Sequence, residues 1–207
     1  MMKFTFLRYI IYAALTYGLM EFMLFDAKFG TDPVKFAESS FVEQAQNVLL
    51  LISLVFLCFT KGFNAVKYLL ILVLGMFFIR EQDAFLDSAV TEHAWKIICA
   101  IFAVLVGFKI FKIRKTIASE LQVFMKSAPS GILFLGFTTL LIFSRMFGRK
   151  KFWKAIEETE DYTRNVKNAA EECTELFAYF IIMIGVVEFF VYAKAVVKEE
   201  KFVRINS

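Results

Sequence analysis

Apolar residues in this chain occur in long runs that are separated by short polar segments. A helix that crosses the hydrocarbon core of a bilayer needs about 20 mostly apolar residues. Six runs reach or approach this length and are predicted to span the membrane: residues 4–25, 42–60, 64–82, 95–113, 130–147 and 171–195. Strand-like alternation is missing from them, which disfavours a barrel. The pattern therefore predicts an all-α, polytopic integral membrane helical bundle that forms a single transmembrane domain over residues 1–207.

The number of crossings depends on the second, third and fifth runs, which are the short ones. We expect flanking polar residues such as Gln46 and Arg80 to extend them into the membrane boundary. An arrangement of five spans, in which one short run does not cross, is the alternative to six. The chain begins with Lys3 and Arg8 before an apolar core, as in a signal peptide, but it has no small-x-small cleavage site. We therefore expect an uncleaved first span.

Basic residues in the short loops predict the orientation, because cytoplasmic loops carry an excess of Lys and Arg. With both termini in the cytoplasm, the inner loops hold Lys61, Lys67, Lys109, Lys112, Arg114, Lys115 and Lys126. The segment from Arg145 to Lys167 is the exception, since it is rich in basic residues yet falls outside. It also contains acids, and long segments of mixed charge follow the rule poorly. The expected location is the inner membrane of a bacterial type of cell.

Two further segments have helical periodicity but are too polar to cross a membrane. Residues 116–126 place Ile117, Leu121 and Phe124 on one face, which is typical of an amphipathic helix at the membrane surface. In residues 149–168, which contain neither Pro nor Gly, apolar residues recur at helical spacing. We therefore expect the last span either to begin outside the membrane as one long helix or to bend near residues 165–168.

Composition agrees with a membrane protein and excludes several kinds of site. The chain is 59% hydrophobic, whereas soluble domains are about 45–50% apolar. A net charge of +4, with the basic residues in short loops, does not predict binding to nucleic acid. The single histidine, His93, excludes sites that need two or three histidines. The cysteines have no paired spacing, and the sequence lacks both a phosphate-binding glycine loop and a Gly-x-Ser-x-Gly turn.

Acidic residues gather at the span ends that this orientation places on the non-cytoplasmic face. Residues three or four apart are neighbours on a helix, so Glu43 shares a face with Gln46, and Glu171 with Glu175. Ionised groups at membrane depth pair with one another or line water. We therefore expect a polar cluster formed by Glu43, Gln46, Arg80, Glu81, Asp83, Arg145, Glu171, Glu175 and Tyr179.

The cluster has two interpretations. In the structural one, Arg80 and Arg145 neutralise nearby glutamates and hold the outer ends of the helices together. In the functional one, the carboxylates outnumber the arginines, and the excess negative charge binds a small cation or a proton. All-oxygen ligation would suit a hard ion such as Ca²⁺ or Mg²⁺. No Glu-x-x-His pair is present, however, and we predict neither a resident metal nor another cofactor.

Two ionisable residues are expected deeper in the membrane. Glu188 lies about 24 Å from Glu172 along a helix, and Arg8 is at a similar depth in the first span. One interpretation is an ion pair between Arg8 and Glu188 that joins the two spans. The other is an inner step on a charge-lined path that begins at the outer cluster.

These features lead to one functional hypothesis and two alternatives. We expect a non-enzymatic membrane protein in which the outer pocket of carboxylates and arginines binds or conducts a small cation or a proton. The first alternative is an embedded hydrolase or transferase acting on lipid head groups, with a carboxylate as acid or base and arginines on the phosphate. The second is an accessory or immunity-type protein that docks through residues 149–167. The bilayer is the expected environment, and a homo-oligomer or a membrane partner is compatible with each hypothesis.

Overall fold

The apolar runs form helices in the computed structural model, which describes residues 2–30, 35–36, 40–156 and 160–206. Within these ranges most residues are helical and no β-strand occurs. The helices are α1 (Met2–Phe29), α2 (Phe41–Phe59), α3 (Asn64–Arg80), α4 (Asp83–Ala89), α5 (Ala94–Lys112), α6 (Arg114–Met125), α7 (Ala128–Thr138), α8 (Ser144–Phe147), α9 (Lys150–Lys154) and α10 (Glu160–Asn206). A π-helical turn, Thr139–Phe143, joins α7 to α8. The predicted all-α class is confirmed.

Five helices of the described chain are long and apolar enough to cross a membrane. They are Phe4–Phe29, Phe41–Phe59, Ala94–Lys112, Ala128–Phe147 and Arg164–Glu199. The third predicted span corresponds to α3, which has 17 residues. At 1.5 Å per residue α3 is about 26 Å long, slightly less than the roughly 30 Å of the hydrocarbon core. The chain is thus a helical membrane protein, whereas six crossings and cytoplasmic termini stay predictions.

The chain folds into two compact units, each built from separate stretches of sequence. Unit 1 comprises Met1–Gln46 and Leu135–Ile184, and unit 2 comprises Asn47–Phe134 and Gly185–Ser207. Helices α2, α7 and α10 contribute residues to both units. A single transmembrane domain over the whole chain stays a prediction.

In unit 1 the start of α2 is fixed by two side chains. The Asp26 carboxylate accepts a hydrogen bond from the backbone N–H of Val42 at 3.0 Å, and the Ser40 hydroxyl accepts one from the backbone N–H of Glu43 at 3.2 Å. The first turn of a helix has N–H groups without partners inside the helix, and its partial positive charge favours an anion. Asp26 and Ser40 therefore act as caps, and both are buried.

A glycine brings α7 close to α10 in unit 1. A Cβ atom at Gly136 would lie 2.6 Å from the Ile182 side chain and 3.1 Å from its backbone nitrogen. Because Gly136 has no side chain, the backbones approach closely, as small residues allow in membrane helices. Ile182 and the neighbouring Ala178 are fully buried. This contact orients the first half of α10 and hence its glutamates.

Unit 2 is organised around α3, α5 and α6. Gly75 of α3 lies directly against the Phe102 ring of α5. The predicted amphipathic segment 116–126 is helical and falls within α6 and the residue after it. The α6 residue Glu120 accepts a hydrogen bond from the backbone N–H of Ala65 at 2.7 Å, so it caps the start of α3. Phe124 packs edge to face against the buried Phe189.

The last helix, α10, runs for 47 residues without interruption. The expected single long helix is therefore observed, and it continues through residues 165–168. Its start outside the membrane stays a prediction. The predicted amphipathic segment 149–168 contributes α9 and the first residues of α10, while residues 157–159 lie outside the described part of the chain.

Candidate functional site

Three glutamates follow one another within two turns of α10, and each faces a different environment. Successive residues of an α-helix are rotated by about 100°, so Glu171 and Glu175 lie about 40° apart on one side of the helix, whereas Glu172 lies about 100° from Glu171. All three belong to unit 1, together with the start of α2, the π-helical turn and α8. These are the elements that supply the partners of the three carboxylates.

Glu175 lies in a buried position next to α8. Only 7% of the Glu175 surface is exposed. Its Oε1 is 3.3 Å from the hydroxyl oxygen of the fully buried Ser144. Nη2 of Arg145 is 3.9 Å from the same oxygen. Direct hydrogen bonds between guanidinium and carboxylate are shorter, about 2.7–2.9 Å. Arg145 thus offsets the charge of Glu175 from a distance, and its side chain is partly exposed.

The hydroxyl of Ser144 has a single proton and two acceptors within reach. Its oxygen is 2.5 Å from the backbone carbonyl of Leu140 and 3.3 Å from Glu175. A hydroxyl donates one hydrogen bond and accepts others through its lone pairs. With the proton directed to Leu140, the shorter contact, Ser144 presents a lone pair to Glu175. A protonated Glu175 would complement that lone pair by donating to it.

Glu172 is joined to α2 through Gln46. The Gln46 amide nitrogen donates to Oε2 of Glu172 at 3.0 Å and to the Glu172 backbone carbonyl at 3.3 Å. Gln46 is fully buried, and its Oε1 has no hydrogen-bond partner among the described residues. A buried acceptor without a donor costs about 1–3 kcal/mol. This Oε1 is therefore suited to accept a hydrogen bond or to ligate a cation.

Glu171 has a local partner on its own helix. Its Oε2 is 2.8 Å from the Lys167 ammonium one turn earlier, an arrangement that helices commonly stabilise. The carboxyl group also lies directly against Gly148, where a side chain would overlap it. Glu171 thus has a cation beside it and packs against the end of α8. Tyr179 follows Glu175 by one turn and is buried.

The remaining residues of the predicted cluster are found at the start of α2 and where α3 is followed by α4. Glu43 is in the first turn of α2, three residues before Gln46. Arg80, Glu81 and Asp83 lie between the end of α3 and the start of α4, in unit 2. A single cluster that includes them stays a prediction. The same holds for the ion pair of Arg8 and Glu188, whose members belong to different units.

Sequence reasoning left three residues of this region out of the expected cluster. Glu172 and Ser144 bind predicted site residues, and Asp26 caps the helix that carries Gln46. A signal for Glu172 existed, because a buried Gln in an apolar run needs a polar partner. Asp26, near the end of an apolar run and shortly before Ser40, had the residue type of a cap.

Within the described ranges, no group of three or more His, Cys, Asp or Glu residues is placed so that it could hold a metal ion. Cys58, Cys99 and Cys173 are free thiols.

No protein-family model, curated protein or solved structure matches this chain. Fold and site together define a helical membrane protein with a buried glutamate, Glu175, on its last helix.

Proposed function

We propose that this membrane protein binds a proton or a small monovalent cation at the site formed by Gln46, Ser144, Glu172 and Glu175 in unit 1. The observation that carries the proposal is the contact between Ser144 and Glu175. The Ser144 hydroxyl has one proton for two acceptors, the Leu140 carbonyl and Glu175 Oε1. When that proton is donated to Leu140, the favourable partner for the remaining lone pair is a protonated or cation-bound Glu175.

Gln46 supports the same conclusion from the α2 side. Its amide nitrogen is bound to Glu172, which leaves the buried Oε1 as an acceptor. Amide, hydroxyl and carboxylate oxygens together form a hard, all-oxygen donor set. Ca²⁺ takes six to eight oxygen ligands, often several of them carboxylates. Two glutamates with two neutral oxygens instead suit a proton or a monovalent cation.

Binding is better supported than conduction across the membrane. Between Glu175 and Glu188, Tyr179 is the one side chain of α10 that carries a polar group. A path along α10 would have to stabilise an ion over about 20 Å of helix, and charged groups are expensive at membrane depth. A proton or cation held near Glu175 avoids this cost.

Infrared spectroscopy tests the proposal directly. Purified protein in lipid nanodiscs is expected to show the carbonyl band of a protonated carboxyl group, and Glu175→Gln is expected to remove it. Glu171→Gln is the matched control, because it removes a carboxylate from the same helix that is already paired with Lys167. A band that survives in Glu175→Gln would contradict proton binding at this residue.

Cation binding and conduction are distinguished by two further measurements. If the site holds Na⁺ or K⁺, the ion raises the melting temperature over that in choline chloride, and Gln46→Leu removes the increase. The proposal fails if the wild type shows neither the carboxyl band nor a cation-dependent increase. Flux into proteoliposomes that is lost in Glu175→Gln would extend binding to conduction, and flux that is unchanged would exclude Glu175 from any path.

A further inference from the structure

Unit 1 also contains an apolar groove on another side of α10. The groove has a volume of about 680 Å³ and lies between α1, the π-helical turn with α8, and α10. On α10 it is lined by Ala170, Cys173, Thr174 and Phe177, which share one helix face by their spacing. Glu175 is rotated by about 140° from Ala170 on the helix. The groove is therefore separate from the proposed proton or cation site.

The lining of the groove is suited to a hydrocarbon chain. No lining residue is charged, and methionine and phenylalanine side chains form much of the surface, among them Met20, Met23, Phe143 and Phe147. Its threonines, of which Thr16 and Thr139 are examples, donate to backbone carbonyls of their own helices, each at 2.8 Å. Their hydroxyl protons are thus not directed to a polar ligand.

The dimensions of the groove also fit an acyl chain. Thr139 and Phe147 mark its extent along α7–α8 and are about 12 Å apart along the helix axis. One leaflet contributes about 15 Å of hydrocarbon thickness, half of the whole core. The length of the groove therefore fits an acyl chain within one leaflet.

Part of the groove wall is formed by the π-helical turn. Thr139 and Phe143 are the first and last residues of the π-helical turn. Such turns are rare and occur frequently at functional sites.

Positive charge is concentrated at the Phe147 end of the groove. The exposed residues Arg149, Lys150 and Lys151 follow Phe147 after one glycine, and no acid lies between Arg145 and Ile156 in the sequence. The indole N–H of Trp153 donates to the Phe147 carbonyl at 2.6 Å, and its ring contacts the Phe147 ring. These contacts hold α9, with its basic residues, at this end of the groove.

We propose that the groove binds an acyl chain of an anionic phospholipid from the surrounding bilayer, whose head group is held by Arg149, Lys150 and Lys151. Charge complementarity selects the anionic lipid, because basic residues at the membrane surface attract anionic head groups. Aromatic side chains such as Trp153 prefer the interface between hydrocarbon and water, where the head group lies. The lipid site does not depend on proton or cation binding at Glu175.

Native mass spectrometry of the full chain, purified in the presence of phosphatidylglycerol and phosphatidylcholine, tests the head-group contact. The wild type is expected to retain phosphatidylglycerol preferentially. The triple variant R149Q/K150Q/K151Q is expected to lower that retention by about tenfold or more. The control K109Q/K112Q/K115Q removes three exposed basic residues of α5–α6 and is expected to stay within about twofold of the wild type. Equal retention in the two variants would overturn the proposal.

Photo-cross-linking tests the groove itself. Phosphatidylglycerol with a photoreactive acyl chain is expected to label residues 139–147 and 170–177. Ala170→Trp fills the groove and should lower this labelling by about fivefold or more, whereas Ala14→Trp, at an exposed position of α1, should not. Labelling confined to other segments, or a groove cross-linked to a second copy of the chain, would refute lipid binding there. The triple variant R149Q/K150Q/K151Q changes only exposed side chains, so its result decides the question even if Ala170→Trp misfolds.

Discussion

Asp26 is a buried carboxylate whose role is explained by the helix that begins beside it. Its Oδ2 accepts the hydrogen bond from Val42 N–H, and the positive end of the α2 dipole stabilises the charge. The residue lies near the end of α1, so it links two helices that are separated in sequence by the segment 30–40. Gln46 stands on the same α2 helix, one turn beyond Val42, and depends on this link for its position.

Replacement of Asp26 should therefore weaken unit 1. We expect Asp26→Ala to lower the free energy of unfolding by about 1–2 kcal/mol, because the cap and its dipole interaction are lost. Asp26→Asn should cost less, since an amide oxygen still accepts the bond. Denaturation in mixed detergent micelles measures the free energy of unfolding of both variants. Glu21→Ala, which removes an exposed acid from α1, is the control, and an equal loss in that variant would contradict the capping role.

The glutamates of α10 illustrate what residue spacing does and does not predict. The i, i+4 rule grouped Glu171 with Glu175, and these residues do share a side of the helix. The structure pairs Glu171 with Lys167, while Glu172 binds Gln46. Which carboxylate meets α2 depends on the rotation of α10 about its axis. That rotation is determined by distant packing, such as the contact between Gly136 and Ile182, which local spacing does not encode.

At the scale of elements, glycine positions determine how closely helices approach. Gly136 faces Ile182 without room for a Cβ atom, whereas nothing lies within 4 Å of a Cβ at Gly107 on α5. Both glycines occur in apolar runs, where small residues allow helices to approach closely. It could not separate them, since the difference lies in the neighbour that each one meets.

The two glycines form a matched pair for mutagenesis. Gly136→Ala should lower the free energy of unfolding by about 1–3 kcal/mol, because the added methyl group overlaps Ile182. Gly107→Ala should raise it by about 0.4–1 kcal/mol, since alanine restricts the unfolded chain and meets open space. Denaturation in mixed micelles measures both variants. A loss in Gly107→Ala as large as in Gly136→Ala would show that glycine flexibility, rather than close contact, is what matters.

Most helices follow from the pattern of apolar residues, but the π-helical turn does not. The amphipathic pattern of residues 116–126 predicted a helix that α6 supplies. The π-helical turn at Thr139–Phe143 has neither Pro nor Gly, and its residues belong to an ordinary apolar run. An extra residue in one turn is a response to tertiary packing, so it has no local sequence signature.

At the scale of the whole molecule, the sequence predicted class and environment better than the site. The free energy of placing a helix in lipid depends on its local composition, so the apolar runs predict which segments are helical and lie in the membrane. The site depends on long-range contacts, such as the bond between Gln46 and Glu172. Gln46 and Glu175 were predicted from helix ends alone, whereas Glu172 and Ser144 required the fold. Arg80, Glu81 and Asp83 stay predicted members of the cluster.

The topology of α3 determines whether the acidic turn after it lies on the outer face. With its 17 residues, α3 crosses only if Arg80 and residues beyond it reach the interface, as long basic side chains do. The six-span arrangement then places Lys61 inside and Ser88 outside. Five spans would leave both on the same side.

Cysteine accessibility in spheroplasts tests this arrangement. In a chain without Cys58, Cys99 and Cys173, we expect a membrane-impermeant maleimide to label Ser88→Cys in intact spheroplasts. Lys61→Cys should react only after permeabilisation, because α3 separates the two positions. Lys35→Cys, between α1 and α2, serves as the outer reference and Lys3→Cys, before the first span, as the inner one. If Lys61→Cys and Ser88→Cys react under the same condition, α3 does not cross, and Arg80, Glu81 and Asp83 then lie on the face opposite Glu43.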